Sequence, residues 1–218
     1  MRHASLAAVG MSAAMMLASS ASAGIITASF TKDLDKNVTI TRNGDTDTVR
    51  TVAFHWVRSD APGPGIDPFI PVSFDTYCVD LDQTVQPNHD YTFEVISMVD
   101  AGYSDEQRLL LRRLWASFKG LIDNAVESAA FQSAIWEILY DTDKDGSTGA
   151  FTIDNPAPVK SLAQSYLDTV NDPLYAGDTV SLVVLRSESA QDQITVIPTP
   201  GSLALFGLGA CFVARRRK

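Results

Sequence analysis

The stretch from Asn124 to Tyr140, NAVESAAFQSAIWEILY, sets the class of the fold. Ala129, Gln132, Ile135, Trp136 and Leu139 fall on one stripe at helical spacing, and Asn124 with Glu127 three residues later reads as an N-terminal capping box. Gln132 therefore faces apolar neighbours. A helical pattern also precedes this stretch. Ser104 and Gln107 form a second box, and Leu110, Leu111, Leu114, Trp115 and Phe118 repeat until Gly120 stops them. A third helix, Val159 to Val170, follows Pro156 to Pro158. Outside these segments the period drops to that of strands. Ile25 to Phe30, Asn37 to Arg42 and Thr48 to Arg58 read as strands, with Asn43-Gly44-Asp45 as a hairpin turn. Val72 to Leu81 and Tyr91 to Val99 form another pair, and Thr179 to Leu185 and Gln193 to Ile197 come last. Ala61 to Pro71, with four prolines and two glycines, is a loop. Strands, a helical insertion of about three helices and strands again predict an α+β domain with a β-sandwich or barrel-like sheet.

Both ends read as addresses rather than fold. Met1-Arg2-His3, the apolar run Ala4 to Leu17 and the small residues Ala21-Ser22-Ala23 make residues 1–23 a signal peptide. At the other end stand Pro198-Thr199-Pro200-Gly201, an apolar run from Leu203 to Ala214 and the basic cluster Arg215-Arg216-Arg217-Lys218. The run is short for a bilayer span, although the arginines can snorkel and hold a cytoplasmic end. This tail resembles the PEP-CTERM sorting signal of Gram-negative bacteria, in which a Pro-Glu-Pro motif, an apolar stretch and arginines direct processing by an exosortase. Pro198, Pro200 and Gly201 match, whereas Thr199 stands where that family has glutamate. The resemblance implies an exosortase-like protease as partner, transient anchoring at the inner membrane by residues 198–218, and a final place on the cell surface or in the extracellular matrix. A plain unprocessed anchor is the simpler alternative.

Residues 24–197 are left as one domain, with no linker or repeat to divide them. The chain carries 26 acidic against 17 basic residues, and five of the basic ones lie in the two terminal segments. An acidic domain of this kind is not expected to bind nucleic acid. Of the two cysteines, Cys211 lies in the tail, so the domain keeps Cys78 alone. A single thiol in an exporting compartment is buried and inert, used chemically, or paired with another chain.

Thr76-Tyr77-Cys78-Val79-Asp80-Leu81 and Ala130-Phe131-Gln132-Ser133-Ala134-Ile135-Trp136 resemble the paired motifs of bacterial thioester domains. In that family the cysteine thiol displaces ammonia from the glutamine and leaves an internal thioester. The resemblance, over roughly Phe74 to Phe151, implies that Cys78 and Gln132 form the cross-link and that Tyr77, Phe131 and Trp136 shield it from water. It also implies an amine-bearing surface or matrix partner, captured once through an amide bond, so the chain would be a covalent adhesin without turnover. Beside this stands the plainer reading of a buried cysteine and a satisfied glutamine in a noncovalent matrix protein.

A cysteine-nucleophile enzyme would need a histidine, and the domain offers His55 and His89. Cys78 lies in mid-strand and His55 alternates with Phe54 and Trp56, so the chain is not read as an enzyme. Asp141, Asp143 and Asp145, with Gly146 next, fit the first half of a calcium loop. Position 12 is Thr152 rather than glutamate, with Asp154 as a substitute. The alternative is a solvated acidic turn. No other cofactor is expected.

Overall fold

Asn43 and Gly44, with φ of 54° and 91°, supply the two positive φ values that a two-residue hairpin turn requires. They join β1 (Gly24–Arg42) to β2 (Asp45–Arg58), the longest antiparallel pair among the described residues. The structure, a computed structural model, describes residues 24–197; the signal peptide and the sorting segment expected at residues 1–23 and 198–218 lie outside the described residues. β1 is one strand where the sequence suggests two. A register shift between Lys32 and Asp35 interrupts the alternation without ending the pairing, and it gives β1 two halves with different second neighbours. The first half pairs with β4 (Tyr91–Ser97) and the second with β5 (Phe151–Asn155).

From β2 the ladder continues through β3 (Ser73–Cys78), β7 (Gln193–Val196), β6 (Leu182–Arg186) and β4 back to β1. The result is a closed six-stranded antiparallel barrel with β5 as an added strand, as the α+β barrel reading anticipates. Closure removes the exposed edges of an open sheet. Its interior is aromatic. Trp56 lies edge-on to Phe93 with centroids 5.2 Å apart, and Phe30 touches both Phe54 and Trp56 at 4.9 Å. One polar thread crosses this interior. Trp56 Nε1 donates to Thr76 Oγ1 and Thr76 Oγ1 to Gln193 Oε1, each at 2.8 Å, tying β2, β3 and β7 together. Every buried polar atom in that thread is thus paired.

The helical insertion lies between β4 and β6 in sequence: α1 (Asp105–Phe118), a 3-10 turn at Lys119–Leu121, α2 (Ala125–Tyr140) and α3 (Ala157–Asn171). Ser104 and Gln107 close the expected capping box of α1. At α2 half of the box is redirected, because Asn124 caps Val126 and Glu127 while the Glu127 carboxylate accepts from the N–H of Asp123, one residue earlier than the motif requires. α2 packs on β1 and β2 and is covered by α1 and α3. Consequently every residue from Ser128 to Ile138 is buried. The amphipathic stripe of the sequence is therefore only part of the story, because a helix buried all round is a core element.

Candidate functional site

One stripe of α2, at positions 128, 132, 136 and 140, meets the end of β3 and the chain that leaves it. Such i, i+4 spacing puts side chains one above another on a helix. Ser128 Oγ lies 3.3 Å from the Tyr77 hydroxyl. Gln132 comes next. Its Oε1 accepts from the Cys78 N–H at 2.9 Å and its Nε2 donates to the Cys78 carbonyl at 2.7 Å. The carboxamide thus pairs with the main chain as a neighbouring strand would. Tyr140 ends the stripe, accepting from the Leu81 N–H at 3.1 Å and donating to the Val79 carbonyl at 3.2 Å. Burial pushes the Tyr140 hydroxyl up to about 12, so it stays a donor.

Cys78 and Gln132, identified from short motifs 54 residues apart, are therefore neighbours, and both are buried. The Cys78 thiol donates to the Asp80 carbonyl at 2.6 Å, and its sulfur accepts from the Asp80 N–H at 3.2 Å. Burial drives the thiol pKa strongly up, against a smaller opposing effect of the Asp80 N–H and the nearby Trp136 indole. A free sulfur here is therefore held as a thiol rather than a thiolate. Gln191 braces the same turn from β7's side by donating to the carbonyls of Asp80 and Gln83.

The residues expected to shield this pair are all buried. Tyr77 and Phe131 pack with centroids 4.7 Å apart, both fully buried, and Trp136 is 2% exposed. Trp115 of α1 completes the cluster against both rings, at 6.0 and 5.7 Å. Sequence reasoning did not single out Trp115 or Tyr140. The signal for Tyr140 was present, since it stands two turns beyond Gln132 on the same stripe. A cleft of about 460 Å³ between the β1–β2 hairpin and the segment Leu81–Pro87 reaches Trp136 and Gln191.

The histidines stand elsewhere. His55, on β2, bonds Asp75 Oδ1 through Nδ1 at 2.8 Å and Ser73 Oγ through Nε2 at 2.9 Å, and Lys119 shares the carboxylate at 3.0 Å. This Ser-His-Asp chain lies on an exposed sheet face, with the His and Asp side chains 44% and 45% accessible, and it does not reach Cys78. His89 packs on Tyr91.

The acidic loop differs from the expected calcium loop. Gly146 does not hold a positive φ; Lys144 (φ 60°) and Gly149 (φ 89°) do. Thr152 lies in β5, an unexpected strand, and donates to Asp154, whose other oxygen accepts from Thr41 of β1. Neither residue turns toward the loop. Asp145 caps the Ser147 N–H at 2.9 Å. Asp141 and Asp143 instead lie beside Glu137 of α2, which the sequence reading did not single out.

Compared with known proteins, the chain matches no family model and no curated sequence. Among the described residues, no helix is long and apolar enough to cross a membrane.

Proposed function

We propose that the chain is an exported surface or matrix protein, sorted through its C-terminal segment by an exosortase-type protease, whose domain carries a Cys78–Gln132 thioester for one-time covalent capture of an amine-bearing partner. The observation that carries the site is the clamp of the Gln132 carboxamide on the Cys78 main chain. The Cys78 N–H at 2.9 Å from Oε1 polarises the carbonyl and would stabilise the oxyanion as sulfur adds to Cδ. That addition forms the S–C bond; collapse then restores the C=O bond and breaks the C–N bond, with the thiol proton moved to the departing nitrogen, releasing ammonia. An incoming amine then forms the amide and returns the proton to Cys78 sulfur. Tyr77, Phe131, Trp136 and Trp115 would keep water from the ester in the meantime.

A noncovalent matrix protein on the same scaffold is the second reading, and the Cys78 thiol's bond to Asp80 favours it, because sulfur is engaged away from the amide. Intact mass separates the two. For the thioester, protein recovered from the cell exterior weighs one ammonia less than its sequence, couples methylamine with release of the Cys78 thiol, and returns to sequence mass in Cys78→Ala and in Gln132→Ala. Unmodified mass in freshly purified wild type, with Cys78 titratable only after unfolding, would leave the noncovalent scaffold. The same spectrum tests sorting, since processing removes Leu203 to Lys218 and recovery of the full tail outside the cell would refute it.

A further inference from the structure

Glu137 is fully buried, yet among the described residues neither of its carboxylate oxygens has a hydrogen-bond partner. An unpartnered buried carboxyl is costly, and native folds keep one only where something else satisfies it. Its surroundings aggravate the cost. One oxygen from each of Glu137, Asp141 and Asp143 lies within 4.8 Å of the other two. All three stand at the C-terminal end of α2, where the helix dipole is negative and the last turn holds no basic residue. Lys144 is buried close by but directs its ammonium to the Asp141 main-chain carbonyl at 2.7 Å. Burial first, then the charges of Asp141 and Asp143, push the Glu137 carboxyl up to about 8.

We propose that Glu137, Asp141 and Asp143 bind a divalent cation, with calcium the best fit. Ligand oxygens at 2.3–2.6 Å from calcium are at most about 5 Å apart, and the three carboxyls meet that limit. Calcium also accepts an irregular oxygen set completed by water, whereas magnesium demands a near-ideal octahedron. The neighbouring main chain orients the ligands: Phe151 N–H holds Asp141 Oδ2 at 2.8 Å, and Thr148 Oγ1 holds Asp143 Oδ2 at 2.9 Å. Gly149 lets the chain pass close by, since a Cβ there would sit 2.1 Å from Asp141 Oδ2. The ligand set is thus a helix end plus a loop, with Asp145 outside it. The bound ion joins the end of α2, which carries Gln132, Trp136 and Tyr140, to the loop that leads into β5. This site stands independently of any bond between Cys78 and Gln132.

The test is calorimetric titration of calcium chloride into EDTA-treated, dialysed full-length chain, with thermal unfolding followed in parallel. Wild type should bind one equivalent with Kd on the order of 10⁻⁴ to 10⁻³ M, the range of weak extracellular sites. Asp145→Ala and Cys78→Ala should keep that affinity, while Glu137→Gln and Asp143→Asn should weaken it by about ten-fold or more, as befits loss of a charged ligand. Because Asp143 is exposed, its variant tests the site even if Glu137→Gln does not fold. No binding and no rise in melting temperature in wild type at about 10 mM calcium, well above that range, would overturn the proposal. So would wild-type affinity in Glu137→Gln or Asp143→Asn, or loss of binding in Asp145→Ala. An unchanged titration in Cys78→Ala keeps this outcome separate from that of the thioester.

Discussion

Replacing Gln132 by methionine keeps the volume of a buried side chain and deletes both bonds that it makes to Cys78. The donor and acceptor left behind belong to the main chain of a buried residue. Leaving each unpaired costs about 1–3 kcal/mol, so the variant should lose on the order of 3 kcal/mol. For a domain of this size that is a fall of about 6–12 °C in melting temperature. Urea unfolding followed by tryptophan fluorescence reads it directly, since Trp56 and Trp136 are buried in the native state. A loss under about 0.5 kcal/mol, the size of an ordinary surface substitution, would refute the clamp. Cys78→Ala then sorts the chemistry. It removes sulfur but leaves the main-chain clamp, so without a thioester the two substitutions, at residues in contact, should couple by no more than the roughly 0.5–3 kcal/mol usual for neighbours. A thioester closes a 54-residue loop, and the chain-entropy estimate for such a closure is about 4 kcal/mol. Each single variant would lose that same constraint, and the double variant would then cost far less than the sum.

The remaining expectations are simpler. The Arg58 guanidinium, helped by the Thr27 N–H, holds the Asp60 carboxyl below the usual carboxylate range. Its stabilisation is therefore complete above the unfolded value of about 3.9 and is lost as pH falls through the lower folded one. Asp60→Asn should flatten that acid limb of the stability profile and cost about 1–2 kcal/mol at neutral pH, because it removes the charge from a part-buried hydrogen-bonded pair; an unchanged acid limb would refute the assignment. Gly44→Ala meets open space and should cost only about 1 kcal/mol of backbone strain, measured by urea unfolding. Gly149→Ala, with its Cβ forced against Asp141, should cost more than Gly44→Ala in the same assay. Ser104→Ala should cost about 1 kcal/mol by removing the α1 box. In folded protein Cys78 should resist iodoacetamide at pH 8, since burial keeps the thiol protonated and out of reach; rapid native alkylation would contradict its placement.

The helices were legible because their signals are local. Ser104 with Gln107, and the stripe through Gln132 and Trp136, depend only on spacing along the chain. Continuity of β1 was not, because Lys32 to Lys36 breaks the alternation at the bulge, and only pairing with β2 shows that the strand persists. β5 was hidden for a similar reason. Phe151 and Ile153 are its only buried side chains, too few for a period, and the calcium-loop pattern takes in Thr152 between them. The contact of Cys78 with Gln132 followed from a resemblance, whereas the manner of contact, main chain rather than sulfur, depends on where β3 ends. Glu137 carries no sequence signal of its own. Its isolation arises because α1 and α3 cover the helix on which it stands.

β7 has a further implication for biogenesis. Among the described residues it is the last strand in sequence, yet it lies between β3 and β6, and its Gln193 completes the polar thread that begins at Trp56. A chain that emerges N-terminus first can form the β1–β2 hairpin and the helices early, because their contacts are close in sequence. It cannot close the barrel until Val196 has appeared. Before then β3 and β6 present open edges, and such edges invite pairing between chains. Productive folding therefore has to await the emergence of β7, and a chaperone that occupies the gap between β3 and β6 would protect the nascent chain where it is most exposed to aggregation.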